Sequence, residues 1–176
     1  TMASPYTGTW TPKTDNLPSL AIGGLALAPS NENIVYVGTG EGALSGDSYF
    51  GNGVLKSIDG GGSFFKVSAS GYFTKVSISK IVVNNTDPNT LYVGTLRGRG
   101  GVRRTSPPDA SAFGVWKSID GGVNWTMVLT ASTNARDFAG VTDLVRDPQN
   151  SQTIYASLLG RGISKTVDGG ANWTTA

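Results

Sequence analysis

The chain repeats itself three times, and that repetition limits its fold more than any local propensity does. The segments IGGLALAPSNENIVYVGTG, ISKIVVNNTDPNTLYVGTL and GVTDLVRDPQNSQTIYASLL align without gaps on Tyr36, Tyr92 and Tyr155. Each reads as a short apolar strand, a turn rich in Pro, Asn, Asp and Ser, and a second strand rich in Val, Ile and Tyr. A further repeated piece follows each hairpin: GVLKSIDGGGSF, GVWKSIDGGVNW and GISKTVDGGANW. It supplies a third strand, a fixed turn and the start of a fourth strand.

The turn has a direct physical reading. Ser57, Ser118 or Thr166 ends the third strand, and Asp59, Asp120 or Asp168 stands two residues on, placed to accept hydrogen bonds from N–H groups of the turn. The glycines that follow, among them Gly61, Gly122 and Gly170, take positive φ at little cost. Phe64, Trp125 or Trp173, five residues past the aspartate, can cover apolar space between one sheet and its neighbour. The three aspartates are therefore read as structural. The alternative, a metal-binding aspartate, has too few ligands nearby.

Composition agrees with an all-β chain: 25 of the 176 residues are glycine and only 15% are charged, against a usual glycine share of about 7%. The length allows one domain or a piece of a larger one. With no cysteine and no histidine, disulfides, thiolate nucleophiles, cysteine zinc sites and a Ser-His-Asp triad are excluded. Any catalysis runs on Asp, Glu, Tyr, Ser, Lys or Arg. A net charge of +2 does not point to nucleic acid, and no apolar run reaches the roughly 20 residues of a membrane helix. No cofactor is expected. The opening Thr-Met-Ala-Ser lacks the features of a secretory signal.

The pattern Ser/Thr-x-Asp-x-Gly-x-x-Trp/Phe resembles the Asp-box, or bacterial neuraminidase repeat, of sialidases, xyloglucanases, sortilin-type receptors and photosystem II assembly factors. The stretch TDNLPSLAIGGLALAPSNENIVYVGTGEG resembles uncharacterised secreted bacterial proteins of this class labelled glycosyl hydrolase. The resemblance implies a β-propeller of four-stranded antiparallel blades, an extracellular or periplasmic location, and active sites on the face opposite the Asp-boxes. Because the repeat recurs in enzymes, receptors and scaffolds, it implies no single chemistry.

Propeller rings hold about 4 to 8 blades, and this chain supplies three. The expected division is residues 1–21 as the fourth strand of a neighbouring blade, around Trp10, with its connector; 22–77 as the first blade; 78–139 as the second; and 140–176 as an incomplete third. Exposed sheet faces invite association. The expectation is either a longer propeller or a homo-oligomer in which two chains make six blades.

The loop between the second and third strands varies most. Tyr36 to Asp59, Tyr92 to Asp120 and Tyr155 to Asp168 span 23, 28 and 13 residues, so two insertions fall in the same loop type, on the face away from the aspartate turns. The first insertion offers Glu41, Asp47, Tyr49 and Phe50, suited to a sugar ring or a peptide, or simply to packing against the second. The second gathers Arg97, Arg99, Arg103 and Arg104, able to hold carboxylate or phosphate, or to pair with Asp47 or Asp109. Sialidases draw such arginines from separate blades, and their Arg-Ile-Pro motif is absent here. On the innermost strand Gly24, Lys80 and Asp143 are equivalent; Lys80 and Asp143 either meet a ligand or neutralise each other. Arg136 and Asp137 are further candidates of that kind.

Two functions fit. The first is a non-catalytic propeller that recognises a glycan or a protein through its loop face, or serves as an assembly module. The alternative is a sialidase- or xyloglucanase-like glycoside hydrolase drawing on Glu41, Asp47 or Asp143.

Overall fold

The computed structural model describes residues 9–17, 19–43, 48–69, 71–98, 111–133 and 139–175. These form three four-stranded antiparallel sheets. The first holds β1 (Ile22–Ala28), β2 (Asn31–Gly40), β3 (Phe50–Ser57) and β4 (Phe65–Lys66). The second holds β5 (Val76–Val83), β6 (Leu91–Arg97), β7 (Phe113–Ser118) and β8 (Thr126–Ser132). The third holds β9 (Val141–Arg146), β10 (Ile154–Leu158), β11 (Gly162–Thr166) and β12 (Thr174–Thr175). In each sheet neighbours in sequence are neighbours in space.

One boundary shifts. The second sheet begins at Val76, two residues inside the stretch assigned to the first blade, because Val76 already pairs with Arg97 across β5 and β6. The described part of the segment around Trp10 forms no strand, and Trp10 is 97% exposed. As the fourth strand of a neighbouring blade this segment needs a third strand beside it to satisfy its N–H and C=O groups, and none stands there among the described residues.

The sheets stack face to face, with β1, β2 and β3 against β5, and β5, β6 and β7 against β9. The core lies in the two seams, built from Tyr36, Val54, Ile78, Ile81, Leu91, Tyr92, Val141 and Leu144. Glycine two residues past the tyrosine lets the sheets approach closely. A Cβ on Gly38 would stand 2.4 Å from Ile78 Cγ2, and one on Gly94 would stand 2.7 Å from Val141 Cγ1. Ser157 fills that position in the third sheet.

The repeated tyrosines join one sheet to the next. Tyr36 Oη donates to Pro88 O at 2.8 Å, and Tyr92 Oη donates to Gly169 O at 2.8 Å. Burial pushes both phenols up to about 12. Opposite each tyrosine on the next strand sits a lysine, Lys56 or Lys117, its ammonium 5.2 or 5.4 Å from the ring centroid.

The aspartate turns are locked as their sequence suggests. Asp120 Oδ1 accepts from Ser118 Oγ at 2.8 Å, Asn124 N at 2.9 Å and Val123 N at 3.1 Å, while Oδ2 accepts from Asn124 Nδ2 at 2.8 Å. Asp59 and Asp168 repeat this with Ser57 and Ser63, and with Thr166 and Asn172. Each turn also sits beside the first turn of its own sheet: Gly60, Gly121 and Gly169 donate N–H to Asn33, Asn89 and Gln152 carbonyls. Trp125 is buried, its Nε1 donating to Gly122 O at 2.8 Å. Trp173 packs against the core, whereas Phe64 stays half-exposed outside it.

These bonds stabilise the charged aspartates. The Ser57 hydroxyl, with Ser63, holds Asp59 well below the usual carboxylate range; the Asn124 N–H lowers Asp120; the Asn172 N–H and amide bring Asp168 to about 2. Below about pH 4 the unfolded chain takes up protons that the folded chain refuses. The contribution is therefore complete above about pH 4 and is lost as pH falls toward about 2. In urea unfolding measured across that range, the midpoint should fall with pH, and Asp168→Asn should make the fall shallower. An unchanged slope would remove the carboxylates from the acid response.

Candidate functional site

The first insertion leaves β2 at Gly40, where φ is +97° and a Cβ would strike Gly51 N at 2.6 Å. The two ends of the loop are then clasped. Glu41 N–H donates to Tyr49 O at 2.8 Å, and Tyr49 N–H donates to Glu41 Oε2 at 3.1 Å. Ser77 Oγ reaches the same Tyr49 carbonyl at 3.1 Å and ties the clasp to the second sheet. Phe50 follows as the first residue of β3, and a Cβ on Gly98 past the end of β6 would stand 2.5 Å from Phe50 Cβ.

The clasp borders two clefts. One, of about 590 Å³, is lined by Ser19, Leu20, Ala21, Glu41, Tyr49 and Phe50. Tyr49 is 53% exposed there. The other, of about 410 Å³, lies where the innermost strands meet: Glu41 and Gly42 line it with Gly23 of β1, Ser79 of β5 and Thr142 of β9. The Ser79 hydroxyl makes a short contact with Val141 O and lies 3.1 Å from Gly94 O, so it links the second sheet to the third. Glu41 borders both clefts. The first also shares Ser19 and Phe50 with a recess of about 400 Å³ that contains Asn52, Lys66 and Tyr72.

This surface is the one expected from the insertions, remote from the aspartate turns. Its loops are cross-linked, since Thr74 N–H donates to Ser111 Oγ and Ser111 N–H to Thr74 O, both at 2.9 Å. Glu41, Tyr49 and Phe50 are thus brought together. Arg97 closes β6 and pairs with Val76. Asp47, Arg99, Arg103, Arg104, Asp109, Arg136 and Asp137 lie outside the described residues. Lys80 and Asp143 form an ion pair at 3.2 Å, and a Cβ on Gly24 would stand 3.3 Å from Lys80 Cα, so the three equivalent positions do converge. Among the described residues, no three acidic side chains gather as a metal site requires.

Two parts of the site had no sequence signal that identified them. Leu20 sits in an irregular stretch outside the repeats yet walls the cleft. Tyr72, Phe73 and Trp116 form an edge-to-face cluster, with Phe73 5.0 Å from Trp125 and Trp116 5.6 Å from Phe73. Phe73 has φ of +57°, and Lys75 has φ of +54°. Nothing in the local sequence demands such backbone, and packing holds it there.

No family model matches the chain. It is 28% identical over 156 residues to a probable oligoxyloglucan-reducing end-specific xyloglucanase of Neosartorya fischeri, covering 86% of this chain and 17% of that relative's length. Among solved structures it is similar to a GH74 enzyme of Niastella koreensis, with 26% identity, a TM-score of 0.58, and 88% and 22% of the two chains covered. A GH74 xyloglucanase of Xanthomonas campestris shares 16% identity with a TM-score of 0.61, over 93% and 24% of the two chains. The three sheets are blades of a β-propeller, similar to blades of these glycoside hydrolases, and they span less than a quarter of these relatives.

Proposed function

We propose that these three blades bind a glycan chain on the loop face, in the cleft walled by Leu20, Glu41, Tyr49 and Phe50. The observation that carries this reading is the exposed Tyr49 ring beside a carboxylate that its own backbone N–H holds in place. An aromatic face stacks on the apolar face of a sugar ring, and a carboxylate accepts from adjacent hydroxyls. The continuation of the cleft past Phe50 toward Asn52 and Tyr72 suits a chain of several sugars.

Glycoside hydrolysis is the second reading, favoured by the xyloglucanase relatives. It needs two carboxylates flanking one bond. Among the described residues Glu41 is the one carboxylate lining the clefts, and Asp143 is held by Lys80. Binding comes first because it asks only for the Tyr49 ring and the one carboxylate that the cleft displays.

Calorimetric titration with xyloglucan oligosaccharides, and an assay for released reducing ends, separate the two. Tyr49→Ala should weaken binding by at least about tenfold, and Glu41→Gln should weaken it less, with no turnover in any variant. Turnover abolished by Glu41→Gln would establish the hydrolase. Absence of binding across a glycan panel would end the glycan reading.

A further inference from the structure

The cleft at Tyr49 continues past Phe50 into the recess of about 400 Å³, and the charge of the walls changes there. Glu41 lines the cleft but not the recess. The recess holds Lys66 and Lys75 and, among the described residues, no carboxylate. Its walls come from β3, β4 and the connection from β4 to β5, together with Ser19. It is therefore built at the junction of the first and second sheets.

Both lysines are positioned by their surroundings. Lys66 pairs with Leu55 across β3 and β4, and its stem runs back along β3 over Gly53, where a Cβ would stand 3.5 Å from Lys66 Cε. Its Nζ then donates to Asn52 Oδ1 at 3.2 Å, and it meets no carboxylate among the described residues. An ammonium has three donors, and this neutral amide oxygen occupies one. Lys75 lines the recess from unusual backbone. Phe73 and Lys75 have φ of +57° and +54°, a region that strains residues other than glycine. The segment is pinned on both sides of the strain: Phe73 is buried edge-to-face against Trp116 and Trp125, and Thr74 exchanges two hydrogen bonds with Ser111 at 2.9 Å. Strained backbone that is held this firmly gathers where a ligand is clamped, and a wall that does not reorganise makes binding less costly.

Resting on the glycan reading above, we infer that the sugar chain carries an anionic group, a uronate carboxylate or a sulfate ester, and that Lys66 and Lys75 hold it in this recess. An ammonium serves either group, because it is a compact point charge without the planar fork that suits arginine to carboxylates. The Tyr72 ring lines the same recess and can pack on the sugar that bears the charge. With Glu41 in the adjoining cleft, the acid is favoured at one end of the bound chain and disfavoured beside Tyr49.

Calorimetric titration tests this with one β-glucan oligosaccharide in three forms: neutral, bearing one uronate, and bearing one sulfate, the charged group placed at each end in turn. The better acidic form should bind at least about tenfold more tightly than the neutral one, as a charge-assisted hydrogen bond implies, and the form that gains more names the group. The advantage should shrink in about 0.5 M salt. Lys66→Gln, and Lys75→Asn, whose new side chain accepts left-handed backbone, should each cut the advantage about fivefold and leave the neutral form's affinity unchanged. Equal affinities for all three forms, or an acidic advantage that survives both substitutions, would overturn the inference and leave the glycan reading standing. Failure of every form to bind would end the glycan reading and this inference with it.

Discussion

Tyr92→Ala is expected to be the most damaging single substitution in the hydrophobic seams, lowering unfolding free energy by about 3–5 kcal/mol, the range for truncating a buried aromatic. The ring is almost fully buried between the second and third sheets, and its hydroxyl bonds Gly169 O at 2.8 Å. Truncation opens a cavity and leaves the carbonyl with Lys117 alone. Tyr92→Phe keeps the ring and isolates the hydrogen bond, so it should cost about 1 kcal/mol. Tyr155→Ala, at the equivalent but exposed position, is the internal control. Measured by urea unfolding at a concentration where the chain is monomeric, it should cost under about 1 kcal/mol. Equal losses at Tyr92 and Tyr155 would show that the tyrosine serves its own sheet and does not join two.

Gly94→Val should come next, at about 3 kcal/mol, the upper part of the usual overpacking range. A Cβ there would stand 2.7 Å from Val141 Cγ1 and 3.0 Å from Val141 Cβ, so β6 and β9 must separate or Val141 must leave its rotamer. Because the two tightest contacts are with Val141, ahead of Ser79 Oγ at 3.2 Å, shrinking that side chain should relieve most of the clash. The double variant Gly94→Ala with Val141→Ala should be more stable than the sum of the two single losses, a coupling readable from a double-mutant cycle. Strict additivity would mean that the glycine is needed for its backbone and not for the space it leaves.

Much of this fold was legible because the repeats carry it. Tyr36, Tyr92 and Tyr155 set the register of three hairpins, and the Ser/Thr-x-Asp corners marked the third turn of each sheet. The meeting of Lys80 with Asp143 followed from the same alignment. The strand expected around Trp10 has no neighbouring blade beside it among the described residues, and a strand pattern says nothing about whether a partner is present to complete the ladder. The candidate site was legible only in part. Glu41, Tyr49 and Phe50 stand in one insertion, and adjacency in sequence made their convergence readable. Leu20, Ser79 and Thr142 reach the clefts from a connector and two other strands, through sheet packing that no local pattern encodes. The positive φ at Phe73 and Lys75 has the same origin, since tertiary contacts override local preference there.

The central claim is that the loop-face cleft, and not the aspartate-turn face, is where this chain meets a sugar. Amide chemical-shift mapping with a xyloglucan oligosaccharide tests it residue by residue. Shifts should concentrate at Leu20, Glu41, Tyr49 and Phe50 and fade along the sheets toward Asp59, Asp120 and Asp168. Shifts centred on those three turns, or no saturable shifts with any glycan tried, would contradict it.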